Sequence, residues 1–207
     1  MLRRAAMLSA VVATASFGLA SMPGPSHWFE EPGLAAGEKA PVVKVKDAKG
    51  EVVSLGDAWA EGPAVVIFYR GGWCPFCNRS LSAWQDQASA LEAKGVNLIA
   101  ISPETPEFVE STTEKDGLKY EVYSDFTLDA SRKFELLFEL DSTTIEKYKG
   151  YGIDLSKRNA SGTWELPHPG TFIVDREGVV RAAWVDEDYT KRVAPEVVME
   201  KLGELGM

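Results

Sequence analysis

Cysteine and histidine are scarce in this chain of 207 residues, with two of each. Two cysteines and two distant histidines cannot close a tetrahedral zinc site. Asn78 follows Cys77 where covalent haem attachment through Cys-x-x-Cys-His would need a histidine, so that chemistry is excluded too. Positive charge is short: 22 Lys and Arg stand against 31 Asp and Glu, a net charge of −9. Such a surface should repel nucleic acid and anionic membranes. There is no internal repeat, no second domain and no carboxylate pair placed for acid–base work. Glu30-Glu31 and Asp186-Glu187-Asp188 read as solvated faces.

The N-terminus carries Met1-Leu2-Arg3-Arg4, a mostly apolar stretch from Ala5 to Ala20, and then Ser21-Met22-Pro23-Gly24-Pro25. Basic, apolar, then small is the order of a secretory signal peptide, and Gly18-Leu19-Ala20 suits cleavage after Ala20. The apolar stretch is short for a membrane span, and no cysteine follows it to carry a lipid; an uncleaved anchor is the competing reading. Removing residues 1–20 takes two arginines and shifts the net charge from −9 to −11. The expectation is an exported, periplasmic protein with no membrane attachment after cleavage, a Pro- and Gly-rich flexible leader over 21–36, and one domain over 37–207.

What is present concentrates in Tyr69-Arg70-Gly71-Gly72-Trp73-Cys74-Pro75-Phe76-Cys77. Upstream, Ala64-Val65-Val66-Ile67-Phe68-Tyr69 suits a buried strand. Downstream, Cys77, Leu81, Trp84, Ala88 and Leu91 share one helical face. A dithiol where a buried strand feeds a helix N-terminus is the thioredoxin arrangement. Pro75 suits the first helical position, which puts Cys74 at the N-cap, where free N–H groups and the helix dipole favour a thiolate. Arg70 and Arg79 could add positive field. Cys77 starts the apolar stripe and should be the more buried sulfur. An activated thiol beside a sheltered one suits disulfide exchange or resolution of a sulfenic acid. The competing reading is an inert staple, but so short a loop would stabilise little by chain entropy.

The remaining pattern is α/β. Residues 42–46 and 51–55 read as a hairpin, followed by a strand at 64–69, a helix over 75–93, a strand at 96–101, a helix ending near Lys115, a short strand at 120–123 and a helix over 127–138. A polar, weakly patterned segment covers 140–166. A second hairpin spans 171–175 and 179–185, and a helix over 195–205 closes the chain. The predicted fold is thioredoxin-like: a central mixed sheet flanked by helices, extended by an N-terminal β-hairpin.

Gly37-Glu38-Lys39-Ala40-Pro41 and Asp47-Ala48-Lys49-Gly50-Glu51-Val52-Val53-Ser54-Leu55 resemble the opening signature of the peroxiredoxin superfamily, in its alkyl hydroperoxide reductase/thiol-specific antioxidant (AhpC/TSA) group. Ile101-Ser102-Pro103-Glu104, Tyr123-Ser124-Asp125 and Pro169-Gly170-Thr171-Phe172-Ile173-Val174-Asp175 continue the likeness in order, over about residues 37–205. The Arg70 to Cys77 run is similar to a Cys-x-x-Cys branch of that superfamily. Aligned on Tyr69, Cys77 falls at the family's peroxidatic position, Cys74 replaces its Thr, Arg70 replaces its Pro, and Pro169 stands where its activating Arg is found. Pro169 also resembles the cis-Pro that faces the dithiol in thioredoxins; an ordinary loop proline is the alternative.

The resemblance implies an antioxidant oxidoreductase that reduces hydroperoxides through Cys77 and Cys74, is restored by a thioredoxin-like reductant and needs no cofactor. Two alternatives stay open: exchange with protein disulfides with Cys74 as nucleophile, and a non-catalytic redox sensor. Trp73, Pro75, Phe76 and Pro169 are expected to face substrate or partner. His168 is a candidate for tuning the thiols, with a plain loop histidine as the competing reading.

Overall fold

Short β-branched runs and amphipathic segments assemble into a seven-stranded mixed sheet in the computed structural model, which describes residues 32–207. The signal peptide expected over 1–20 and most of the leader expected over 21–36 therefore lie outside the described residues. At the start of the described residues the Gly33 N–H donates to the Glu135 carbonyl at 3.0 Å, and Leu34 is buried.

Strands β1 (Lys44–Lys46) and β2 (Val52–Ser54) form the N-terminal hairpin, with Val45 opposite Val53. Its turn is tied by the Asp47 carboxylate, which accepts the N–H groups of Lys49 and Glu51 at 3.0 and 2.8 Å. A one-turn helix absent from the sequence reading, α1 (Asp57–Ala60), buries Trp59. Then follow β3 (Ala64–Phe68), α2 (Pro75–Ala93), β4 (Asn97–Ser102), α3 (Pro106–Asp116) and β5 (Glu121–Ser124). Strands β3, β4 and β5 run parallel, as helical crossovers require.

The helix expected over 127–138 is only α4 (Asp129–Lys133). Phe134 and Leu136 are both buried, and Glu135 between them takes a left-handed φ of 59°. That spacing cannot share one helical face, so core filling beside Phe68 and Phe172 ends the helix. The weakly patterned segment holds β6 (Leu137–Glu139), α5 (Ser142–Gly150), α6 (Leu155–Arg158) and β7 (Glu165–Pro167). These close on their own small core of Leu140, Leu155 and Leu166, with Ile145, Tyr148 and Trp164 packed around it. Strands β8 (Gly170–Val174) and β9 (Val180–Val185) and helix α7 (Pro195–Glu204) complete the chain.

The strand order is β2-β1-β5-β4-β3-β8-β9, with β8 antiparallel to β3. Alternation along the central β3 sends Val65 and Ile67 to a core shared with Leu81, Trp84 and Leu202, and Val66 and Phe68 to a second core with Trp59, Phe134 and Phe172. Phe68, Phe134 and Phe172 meet with centroids 4.8 to 6.0 Å apart. The sheet is thus buried on both faces, which leaves the C-terminal ends of the parallel strands as the place where side chains converge.

Candidate active site

β3 ends at Phe68, yet the Tyr69 N–H still bonds the Ile101 carbonyl at 3.0 Å, so the chain leaves the sheet in a fixed direction. Gly71 turns it with φ 142°, and a β-carbon there would strike Trp73 and Glu104; at Gly72 it would strike Thr112 Oγ1. The turn is anchored from below. Gly72 N–H donates to Glu104 Oε2 at 2.7 Å, and Asn78 Nδ2 donates to the Gly72 carbonyl at 2.9 Å. Glu104 is fully buried, and Arg158 satisfies its Oε1 through Nε at 2.8 Å and Nη2 at 2.7 Å. Burial raises the Glu104 carboxyl above its ordinary value, while the Gly72 N–H and Arg158 oppose that rise.

Cys74 caps α2 in an extended conformation (φ −92°, ψ 115°), with Pro75 in the first turn. Both sulfurs are reduced, about 3.2 Å apart and shielded: Cys74 is 2% exposed and Cys77 0%. Their acidities are divided. The Cys77 thiol, donating to Cys74, lowers the Cys74 thiol to about 6; the backbone N–H groups of Cys77 and Phe76 and the positive charge of Arg70 act the same way against burial. Burial among apolar side chains, then the neighbouring Cys74, pushes Cys77 well above the ordinary thiol range. An ionised sulfur beside a protonated one is what a nucleophile and its resolving partner require.

Arg70, 2% exposed, is held by aromatic rings. Its guanidinium lies 4.3 Å from the Tyr189 centroid, 5.0 Å from that of Trp73 and 5.7 Å from that of Tyr148, and it donates to the Tyr148 hydroxyl. The Trp73 ring meets Tyr148 edge-on at 5.4 Å, and Phe76 meets Tyr189 at 5.9 Å. Pro75 is exposed, and Arg79 lies over the Phe76 ring at 5.8 Å. His168 stacks on Phe138 at 4.3 Å; burial lowers its pKa below the ordinary value, Glu187 opposes and Arg70 adds to the lowering.

Pro169 requires a correction. The described residues contain no cis peptide bond, so the thioredoxin-like cis-Pro expected there is absent. Leu137 pairs with Pro167, the His168 N–H bonds the Leu136 carbonyl at 2.8 Å, and Gly170 pairs with Phe68, so the run passes extended from β7 into β8. A trans bond continues that extended path. Pro169 is buried and lines a cavity of about 490 Å³ with Thr171, Trp184, Arg192, Val193 and Val197.

Several site residues escaped the sequence reading. Tyr148 lies in the weakly patterned segment. Tyr189 and Arg192 come from the 186–194 loop, whose acidic start was read as a solvated face. Glu187 and Asp188 are exposed, as that reading expects, and Asp188 also shapes the loop, accepting the Thr190 N–H at 3.0 Å and its hydroxyl at 2.7 Å. Arg192 Nη1 donates to the carbonyls of Tyr189 at 2.7 Å and Lys191 at 2.5 Å, and its Nη2 lies 3.4 Å from Cys77 Sγ. No periodicity marks such a contact. Glu104 was visible only as part of a Ser-Pro-Glu run.

Comparison with known proteins adds to this geometry. The sequence model of the AhpC/TSA family matches residues 36–183. Peroxiredoxin Bcp of Escherichia coli (strain K12) is 26% identical over 171 residues, covering 83% of this chain and 97% of that protein. Among solved structures, a peroxiredoxin-like protein from Aquifex aeolicus superposes with a TM-score of 0.66 at 20% identity, covering 84% of this chain and 90% of that one. Peroxidoxin BcpB from Mycobacterium tuberculosis gives 0.63 at 17% identity, covering 81% and 93%. Both structural likenesses speak for the fold.

Proposed function

The chain belongs to the AhpC/TSA family, and on that premise we propose that it is a thiol peroxidase that reduces small hydroperoxides with Cys74 and Cys77 as its redox pair. The observation that carries this reading is the divided pair, with Cys74 at about 6 and Cys77 far above it, in contact at about 3.2 Å. At pH 7 about nine-tenths of Cys74 is then thiolate. The Cys74 thiolate attacks the terminal oxygen of the hydroperoxide; the O–O bond breaks, Cys74 becomes a sulfenic acid, and the alkoxide leaves and takes up a proton. Cys77 then closes the disulfide and expels water, and a thioredoxin-like dithiol restores both thiols.

The near-complete burial of both sulfurs supports a small oxidant over a folded protein disulfide as first substrate. Family alignment alone would assign the attack to Cys77; the acidities favour Cys74. The two assignments separate cleanly. Cys77→Ser should consume peroxide once and hold a sulfenic acid on Cys74, whereas Cys74→Ser should be inert, and the opposite pattern read by intact mass would return the attack to Cys77. Export is part of the proposal, supported by the basic, apolar and small-residue order of residues 1–20. A secreted form whose mass begins at Ser21 is the expected product.

A further inference from the structure

Each sulfur has its own guanidinium. Arg70 favours the charged form of Cys74, while Arg192 Nη2 sits 3.4 Å from Cys77 Sγ. The two cations come from distant parts of the chain, one from the turn after β3 and the other from the loop after β9. Cys77 is fully buried beside Leu81 and Trp84, where a bare thiolate is costly. Yet the cycle needs that thiolate twice. Once it is the nucleophile that displaces hydroxide from Cys74, and once it is the leaving group when a reductant attacks Cys74.

We propose that Arg192 is a catalytic residue of this second half of the cycle, stabilising negative charge on Cys77 Sγ as the disulfide closes and again as it opens. In closure, the Cys77 S–H proton leaves with the hydroxide as water while the S–S bond forms and the S–O bond breaks. In opening, a dithiol thiolate bonds to Cys74, the S–S bond breaks, and its electron pair goes to Cys77 beside Arg192. The second dithiol sulfur then releases Cys74 and the reductant departs oxidised. The loop is built for this task. Nη1 is occupied by the Tyr189 and Lys191 carbonyls, so the side chain is held with Nη2 on the sulfur. Arg192 also lines the cavity at Pro169 and Trp184.

The inference rests on Cys74 attacking first, and its test keeps the two apart. Wild type, Arg192→Met and Arg192→Lys are mixed with hydrogen peroxide and quenched for intact mass, which separates thiol, sulfenic acid and disulfide. The preformed disulfide of each is also reduced with dithiothreitol. A charge-assisted contact of this kind predicts disulfide closure and dithiothreitol reduction slowed about 10-fold to 100-fold in Arg192→Met, with sulfenic acid formation within about 2-fold of wild type. Arg192→Lys should recover part of both rates. If Arg192→Met does not fold, Arg192→Gln, which keeps a neutral donor, should show the same partition at smaller size. Equal slowing of all three steps, or unchanged closure and reduction, would overturn the proposal. Should peroxide fail to oxidise Cys74, the peroxidase reading falls, while the dithiothreitol measurement still decides the role of Arg192.

Discussion

Replacing Cys77 with alanine removes the group that contributes most to the acidity of Cys74. A hydrogen bond to a charged acceptor is worth about 1.5–3 kcal/mol, and one pKa unit corresponds to about 1.4 kcal/mol. Cys74 should therefore rise from about 6 by about 1–2 units, short of the ordinary 9.0, because the Cys77 and Phe76 N–H groups and Arg70 still act. At pH 6 the thiolate share should fall from about half to about a tenth or less. Cys77→Ser keeps a donor at the same place and should shift Cys74 less, which separates loss of the hydrogen bond from a change in packing. The assay is the pH dependence of iodoacetamide alkylation, checked by ultraviolet thiolate absorbance. The linked stability has a definite sign. A folded value of about 6 against 9.0 unfolded stabilises the fold fully above pH 9, and that gain is lost as pH falls to 6. The stability cost of Cys74→Ala should accordingly grow from pH 6 to pH 9 in denaturant unfolding. A wild-type midpoint near 9, or one unmoved by Cys77→Ala, would refute the reasoning.

Arg70→Met should also raise the Cys74 midpoint, but by less than Cys77→Ala, since its charge ranks below the Cys77 contacts; the same alkylation profile reads the order. Glu104→Gln leaves Gly72 an acceptor but strips Arg158 of its buried carboxylate, so urea unfolding should show a loss of about 2–3 kcal/mol. Gly72→Ala drives a methyl into Thr112 and should cost about 1–3 kcal/mol. Adding Thr112→Ala should return part of that loss, and a double-mutant cycle with no coupling would contradict the packing.

Most of the framework was legible because it rests on short-range pattern. The unbroken apolar run 64–68 marks a strand buried on both faces, and the stripe from Cys77 to Leu91 marks the helix that covers it. The cap position of Cys74 follows from Pro75. What was not legible depends on distant partners. Phe134 and Leu136 look helical until the aromatic core around Phe68 demands both. The segment 137–167 buries only a small cluster of its own, so its amphipathic signal is weak and Tyr148 is unremarked. Pro169 resembles a cis-Pro by its place before a strand, but the pairing on either side of it keeps the chain extended. Arg192 meets Cys77 across a sequence separation of 115 residues, which no local period can encode.

The charge arrangement ties these long-range pieces to the chemistry. A buried guanidinium without a carboxylate is costly, and the hydrogen bond of Arg70 to Tyr148 together with three aromatic faces offsets only part of that cost. An anion beside it offsets more, and the Cys74 thiolate is an anion on which Arg70 acts, the guanidinium charge helping to lower the Cys74 pKa. Protonating Cys74 would therefore leave Arg70 as an uncompensated buried cation, so the cage of Trp73, Tyr148 and Tyr189 helps hold the sulfur ionised by holding the cation in place. Cys77 has the opposite environment: it is packed into the core and protonated at rest, with one guanidinium in reach when its charge develops. On the proposed cycle the pair starts as thiolate and thiol, passes through a sulfenic acid on the first sulfur, and calls on the second only after oxidation. Residues from the turn after β3, from α5 and from the loop after β9 are all needed for that order. This explains why the Cys-x-x-Cys alone, without the 137–167 segment that carries α5 and the loop after β9, would not set it.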